Sequence, residues 1–198
     1  MCGFAGKVNT NHIELNSNIE LRMKAALKSL HPRGPDHQGI YTDEYSYLVH
    51  ARLSIIDTSY EANQPMTDSS KRYILVFNGE IYNYAELKKE LDKKNIKFKT
   101  SSDTEVLLYG LIHFGKNYLK KLDGFFSFCF YDKKEESYLL ARDRFGIKPL
   151  IFSKTEKGLI FASELKAVLA YEIDKEIDRQ ALALYFRHTY IPAPRTIL

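Results

Sequence analysis

Cys2 and Cys129 are the only two cysteines in 198 residues. So few thiols exclude a disulfide framework and a four-cysteine zinc site. No apolar run approaches the roughly 20 residues that span a bilayer. Met1-Cys2-Gly3-Phe4-Ala5-Gly6 also lacks the basic and apolar regions of a secretory signal, so a cytoplasmic protein with no membrane partner is expected. Charge of one sign is not in excess: 29 Lys+Arg face 25 Asp+Glu, for a net +4. The lysines sit among acids, as in Glu86-Leu87-Lys88-Lys89-Glu90 and Leu91-Asp92-Lys93-Lys94, a pattern of solvated helix faces and not of a nucleic-acid stripe. His12, His31, His37, His50, His113 and His188 show no paired spacing of the helical zinc type, so no metal is expected.

What is present is an ordinary globular composition, 44% hydrophobic and 27% charged, in a chain long enough for one domain with a real core. Strands are expected at Gly3 to Val8, Tyr47 to Ile56, Tyr73 to Phe77, Phe125 to Tyr131, Ser137 to Arg142, Leu150 to Ser153 and Leu159 to Ala162. Helices are expected at Ile19 to Ser29, Tyr84 to Lys94, Thr104 to Phe114, Leu165 to Ala170 and Arg179 to His188, the third opened by a Ser102/Glu105 capping box. Many strands are apolar on both faces, which places their sheets between other layers. The short turns between Phe125 and Ala162 read as antiparallel hairpins, so the fold class is α+β. Residues 1–190 form one expected domain. The proline cluster Ile191-Pro192-Ala193-Pro194 starts a linker over 191–198.

Cys129 lies in the apolar run Phe125 to Tyr131 and is expected in the core. Cys2 differs, because removal of Met1 makes it the first residue, with its own α-amine beside the thiol. An α-amine with a pKa of about 8 can take the thiol proton and later return one to a leaving amine. The alternative is that Cys2 merely begins a strand. Asn78-Gly79-Glu80 follows Tyr73-Ile74-Leu75-Val76-Phe77, placing a side-chain amide and a glycine N–H at a strand end, where they can form an oxyanion hole or an Asn-Gly hairpin turn. Arg52, in a mostly apolar strand, needs either a bidentate carboxylate ligand or a structural ion pair. Asp103 falls at a helix start, where capping competes with amine binding.

Several motifs then carry a resemblance: Cys2-Gly3-Phe4-Ala5-Gly6, His31-Pro32-Arg33-Gly34-Pro35-Asp36, His50-Ala51-Arg52-Leu53-Ser54-Ile55-Ile56-Asp57, Asn78-Gly79-Glu80-Ile81-Tyr82-Asn83, Ser102-Asp103-Thr104-Glu105 and Arg142-Asp143-Arg144-Phe145-Gly146-Ile147-Lys148-Pro149-Leu150. Together they resemble the N-terminal glutaminase domain of glutamine-hydrolysing asparagine synthetases, over nearly the whole chain. The resemblance implies a four-layer αββα sandwich of two antiparallel sheets, of the N-terminal-nucleophile hydrolase type. It implies Cys2 as nucleophile, an oxyanion hole of Asn78 and Gly79, and glutamine bound by Arg52, Leu53, Ile55, Asn78, Gly79, Glu80 and Asp103. Within that set Arg52 takes the α-carboxylate, Asp103 with Glu80 the α-amine, and Arg33 orders the loop over the nucleophile. No cofactor is implied for this domain. ATP and Mg belong to a C-terminal synthetase domain in cis, whose Ser-Gly-Gly-Leu-Asp-Ser type loop does not occur in these residues, so asparagine is not expected from this chain alone. A homodimer is compatible with the resemblance. Two further readings stay open: a glutaminase serving an acceptor other than aspartate, and a non-catalytic glutamine-binding module.

Overall fold

Strands rich in β-branched and aromatic residues on both faces can be satisfied only when both faces are covered, and Ser46–Arg52 is buried at every position. The computed structural model describes residues 2–9, 17–156, 158–171 and 173–198. Along the chain come β1 (Gly3–Asn9), α1 (Ser17–Leu30), β2 (His37–Thr42), β3 (Ser46–Arg52), β4 (Met66–Thr67), β5 (Tyr73–Ile81), α2 (Tyr84–Asp92), α3 (Asp103–Phe114), β6 (Gly124–Asp132), β7 (Ser137–Arg142), β8 (Ile151–Thr155), β9 (Gly158–Ala162), α4 (Leu165–Val168) and α5 (Arg179–His188). Five strands form one sheet in the order β2-β3-β1-β9-β8, and four form a second in the order β4-β5-β6-β7. All their pairings are antiparallel.

The period of two along each strand sorts the core into three layers. Tyr47 and Val49 pack outward from the first sheet with Met23, Leu27 and Leu30 of α1 and Val168 of α4. Leu48 faces the opposite way, into a middle layer with Phe4, Ile74, Val76, Cys129, Tyr131 and Phe161. Leu75 and Phe77 of β5 point to the far side, onto Leu87 and Leu91 of α2 and Val106 and Leu111 of α3. The order helix, sheet, sheet, helix is the expected αββα sandwich. Cys129 is fully buried in the middle layer, as expected, and burial pushes its thiol far above the ordinary range.

Several boundaries differ from the sequence reading, each for a physical reason. The strand expected over Tyr47 to Ile56 stops at Arg52, because Leu53 to Asp57 turns away as a loop whose ends are tied to Asp36 and Ser101. β5 runs on to Ile81, so Asn78-Gly79 is strand and not a hairpin turn. Gly79 suits that strand: a Cβ there would lie 2.3 Å from the Phe125 carbonyl oxygen. β2, unannounced in the sequence, is an edge strand whose residues alternate between half-buried and exposed, and its polar composition hides it. β6–β7 and β8–β9 are the expected hairpins, but the segment between β7 and β8 crosses from one sheet to the other. At the α3 start Ser102 accepts from the Glu105 N–H, as expected. Glu105 does not return the bond to Ser102; its carboxylate instead takes the N–H groups of Lys99 and Thr100. Residues after the proline cluster fold back, with Arg195 Nη1 on Asp178 at 2.8 Å.

His50 is fully buried between the sheets, with Nε2 donating to the Phe77 carbonyl at 3.0 Å. Burial pushes it down to about 3 from an ordinary 6.5. The unfolded chain therefore binds a proton that the folded chain refuses, and stability falls as pH drops from about 6.5 toward 3. Urea unfolding across that window should show a shallower acid loss for His50→Gln than for the parent chain, by up to ~1.4 kcal/mol for each pH unit.

Candidate active site

Cys2 immediately precedes β1, and the register Gly3↔Ala51 sets it beside the end of β3. The Leu53 N–H donates to Cys2 Sγ at 3.4 Å, and the thiol lies 3.6 Å from the Leu53 carbonyl oxygen. Arg33 Nε donates to the Cys2 carbonyl at 2.8 Å, and its Nη1 pairs with Glu164 at 2.9 Å. Arg33, expected to order a loop over Cys2, thus grips the backbone of Cys2 itself. Burial raises the Cys2 thiol above its ordinary value, opposed by the Leu53 N–H. A thiol so placed stays protonated near neutrality and needs a base to become a nucleophile.

The open side of β5 carries a row of outward backbone N–H groups. Tyr73 donates to Asp68 at 2.9 Å, Leu75 sits in the β4 pairing, Phe77 donates to Gln64 Oε1 at 2.6 Å, and Ile81 donates to Asp103 at 3.0 Å. Gly79 belongs to the same row. Its partner across β6 is Phe126, whose own N–H and carbonyl are both turned the other way, onto Asp143. The Gly79 N–H therefore points out of the sheet edge, and no acceptor among the described residues takes it. Next to it, the Asn78 side chain is buried and its Nδ2 has no partner. Two adjacent donors thus lack an acceptor among the described residues, which is unusual because buried donors are almost always satisfied.

Both donors line a cavity of about 190 Å³ together with Cys2, Arg52, Leu53, Ile55, Glu80 and Asp103. That is below the roughly 300–1,000 Å³ of pockets for drug-sized ligands and suits a small polar molecule. Ile55 is 71% exposed at the rim. Arg52 is buried, and its guanidinium is held by the Ser59 carbonyl at 2.9 Å, Asn63 Oδ1 at 2.7 Å and the Asp57 carbonyl. No carboxylate among the described residues pairs with it, so the structural ion pair is not what holds it there. Ser102, and not Asp103, caps α3; Asp103 Oδ2 accepts the Ile81 N–H at 3.0 Å, which ties the helix start to the end of β5. Burial, with Glu80 adding to it, pushes the Asp103 carboxyl up to about 6. A guanidinium, a carboxyl, a thiol and two N–H donors without acceptors thus line one small cavity.

The sequence has known counterparts. A family model described as "Glutamine amidotransferase domain" matches residues 1–198. Asparagine synthetase [glutamine-hydrolyzing] 1 of Bacillus subtilis is 39% identical over 197 residues, which is 100% of this chain but 31% of that protein. Asparagine synthetase B of Escherichia coli is 41% identical over 76% of this chain and 27% of its own length. The chain belongs to the glutamine amidotransferase domain family. Among solved structures, a glutamine phosphoribosylpyrophosphate amidotransferase from B. subtilis superposes with a TM-score of 0.66 at 24% identity, covering 85% of this chain and 43% of that one, and attests the shared fold. The amidotransferase domain spans less than half the length of each of these relatives.

Every residue anticipated for the amidotransferase site lines the cavity except Arg33, whose side chain holds the Cys2 carbonyl and Glu164 instead. Met1, whose removal the α-amine chemistry requires, lies outside the described residues, as does His12. Gln64, Phe125 and Lys148 also line the cavity and were not singled out. Lys148 stands within a quoted motif, but Gln64 and Phe125 carry no local signal, since nothing in their neighbours says that they meet β5 from either side. Replacing Gly79 by alanine sets a methyl against backbone that cannot step aside. Gly79→Ala should lower the urea-unfolding free energy by about 1–3 kcal/mol.

Proposed function

We propose that this chain hydrolyses the side-chain amide of glutamine to glutamate and ammonia through a thioester on Cys2. The observation that carries the reading is the pair of unengaged donors, the Gly79 N–H and Asn78 Nδ2, in the cavity of a protonated thiol. In this mechanism the free α-amine of Cys2, once Met1 is gone, takes the thiol proton as sulfur attacks the carboxamide carbon. The carbonyl electron pair moves to oxygen, where Asn78 and Gly79 stabilise the charge. Collapse breaks the C–N bond, the amine returns its proton to the leaving nitrogen, and ammonia departs. Water then attacks the thioester, releasing glutamate and restoring the thiol. Arg52 receives the substrate α-carboxylate and Asp103, with Glu80, its α-ammonium, while Leu53 and Ile55 pack on the side chain.

The chain spans 31% of the B. subtilis synthetase and 27% of the E. coli one, so in the whole protein the ammonia is proposed to pass to a C-terminal synthetase domain that amidates aspartate. ATP and Mg²⁺ belong to that domain, this one uses no cofactor, and residues 191–198 begin the connection between them. Tyr185, Phe186 and Tyr190 at the end of the chain, 48%, 76% and 61% exposed, offer apolar surface consistent with a neighbouring domain. A cytoplasmic location accords with this biosynthetic role.

Purified chain with Met1 removed, as verified by intact mass, should release glutamate from glutamine, and Cys2→Ala should reduce release at least about a hundredfold. Glutamine binding without glutamate release by the processed chain would favour a binding module instead. Dialysis against a chelator should leave the rate unchanged.

The pH dependence of substrate affinity follows from Asp103. Its carboxyl must be ionised to hold the ammonium, and it gains its proton as pH falls through about 6. KM for glutamine should therefore rise up to about tenfold per pH unit below that point, with kcat less affected. In Asp103→Asn, KM should be high and flat over the same range.

A further inference from the structure

We propose that Glu164 is a positioning residue for the Cys2 nucleophile: it holds the Arg33 guanidinium against the Cys2 carbonyl and so fixes the residue that carries the thiol. β1 needs such help at its start. Phe4 and Gly6 turn their backbone groups toward β9, where Gly6 pairs with Phe161 and the Phe4 carbonyl takes the Ser163 N–H at 2.8 Å. The Phe4 N–H is met by Ser163 Oγ at 3.1 Å, beyond the last β1–β9 pair, Ala5 with Ala162. By the period of two the Cys2 carbonyl faces the same edge. β9 has ended there, and the chain enters α4 at Leu165. Arg33 Nε donates to that carbonyl at 2.8 Å in place of a strand.

Arg33 is itself lightly held. It sits in the three-residue turn His31–Arg33 that follows α1, and its stem covers Gly3, where a Cβ would lie 2.9 Å from Arg33 Cδ. Its Nη2 is buried and meets no acceptor. Two bonds therefore fix the guanidinium: Nε to the Cys2 carbonyl, and Nη1 to Glu164 Oε1 at 2.9 Å. Glu164 occupies the N-cap of α4, yet its side chain accepts no bond from that helix. Its carboxylate lies instead between Arg33 on Oε1 and Lys166 on Oε2, the latter at 2.7 Å. Burial opposes its charge, but the bonds to Arg33 and Lys166 outweigh burial and hold the carboxyl below its ordinary range. The Arg33 and Glu164 side chains are 14% and 24% exposed, so water screens this pair far less than the Lys166 contact, whose lysine is 48% exposed. Without the carboxylate both Nη groups of a part-buried guanidinium would lack acceptors, and it would turn toward water. The Cys2 Cα carries the thiol and, once Met1 is gone, the amine, so a shift of Cys2 displaces both from the carboxamide carbon. Misplacement by about 1 Å is enough to cost about a hundredfold in rate. Arg52 and Asp103 hold the ends of glutamine elsewhere, so its binding is spared. The catalytic consequence rests on the glutaminase reading above; the hold on the N-terminal residue does not.

The test uses protein with Met1 removed, with circular dichroism as the check on folding. Glu164→Ala should lower kcat for glutamate release about ten- to a hundredfold while KM stays within about twofold. Glu164→Gln, which keeps an oxygen for Arg33, should recover most of that loss, and Lys166→Met should stay within about twofold of the parent. In an Arg33→Met background, Glu164→Ala should cost less than about twofold more, because the partner through which it acts is gone. An unchanged kcat, a rise in KM that accounts for the loss, or losses that simply multiply in the double variant overturns the proposal. Where Glu164→Ala does not fold, Glu164→Met takes its place with the same expectation. Hydrogen exchange of the N-terminal peptide, followed by mass, reads the same hold without turnover. It should quicken about tenfold in Glu164→Ala, and in the Arg33→Met background Glu164→Ala should quicken it no further. Faster exchange in processed protein that releases no glutamate supports the positioning role while it sinks the glutaminase reading. Exchange that matches the parent overturns the role.

Discussion

Along the open side of β5, every other residue offers its N–H away from the sheet, and the way each is met organises the molecule. Asp68, the β4 pairing, Gln64 and Asp103 answer four of the five, and each belongs to a segment that must come to the strand to do so. An unsatisfied buried donor costs about 1–3 kcal/mol, so these contacts are constraints on the path of the chain and not ornaments of it. Gly79, the fifth, meets no acceptor among the described residues. The cavity exists because the strand edge is satisfied on both sides of one gap.

The same economy recurs in the loops that frame the cavity. Asp57 accepts from Ser59 and Ser101 and is held well below the usual carboxylate range by them, which ties the Leu53 to Asp57 loop to the start of α3. Glu105 takes N–H groups of Lys99 and Thr100, and Asp143 takes four along the β7 to β8 crossing. Charge-assisted bonds of this kind are stronger than neutral ones and impose direction. Three carboxylates thereby fix three loops, and the loops carry Leu53, Asp103 and Lys148 to the site. Asp103 differs from these. It accepts the Ile81 N–H, yet burial pushes its carboxyl up to about 6.

How much of this was legible depends on distance along the chain. The strands with apolar residues on both faces announced two covered sheets, and Cys2-Gly3, Arg52, Asn78-Gly79 and Asp103 stood out as polar residues in apolar company. Local pattern misread Asn78-Gly79 as a possible turn, because the dipeptide is common in hairpins and the approach of Phe125 that demands glycine lies 46 residues away in sequence. It also extended the β3 strand through Ile55-Ile56, whose apolar side chains serve the cavity wall and rim and not a sheet. β2 escaped notice since an edge strand need not be apolar.

By itself the sequence determined the layer type, the core cysteine, the family motifs and the residue kinds from which a site could be made, since periodicity and local composition act over a few residues. Tertiary structure alone decided which of two roles each of those residues plays. Whether Arg52 meets a carboxylate or carbonyls, whether Gly79 turns or donates, and whether Lys148 is surface charge or cavity charge all depend on neighbours brought in by register and loop closure. Those contacts join segments remote in the chain, and no local pattern encodes which of them will be satisfied by protein and which will be left for a substrate.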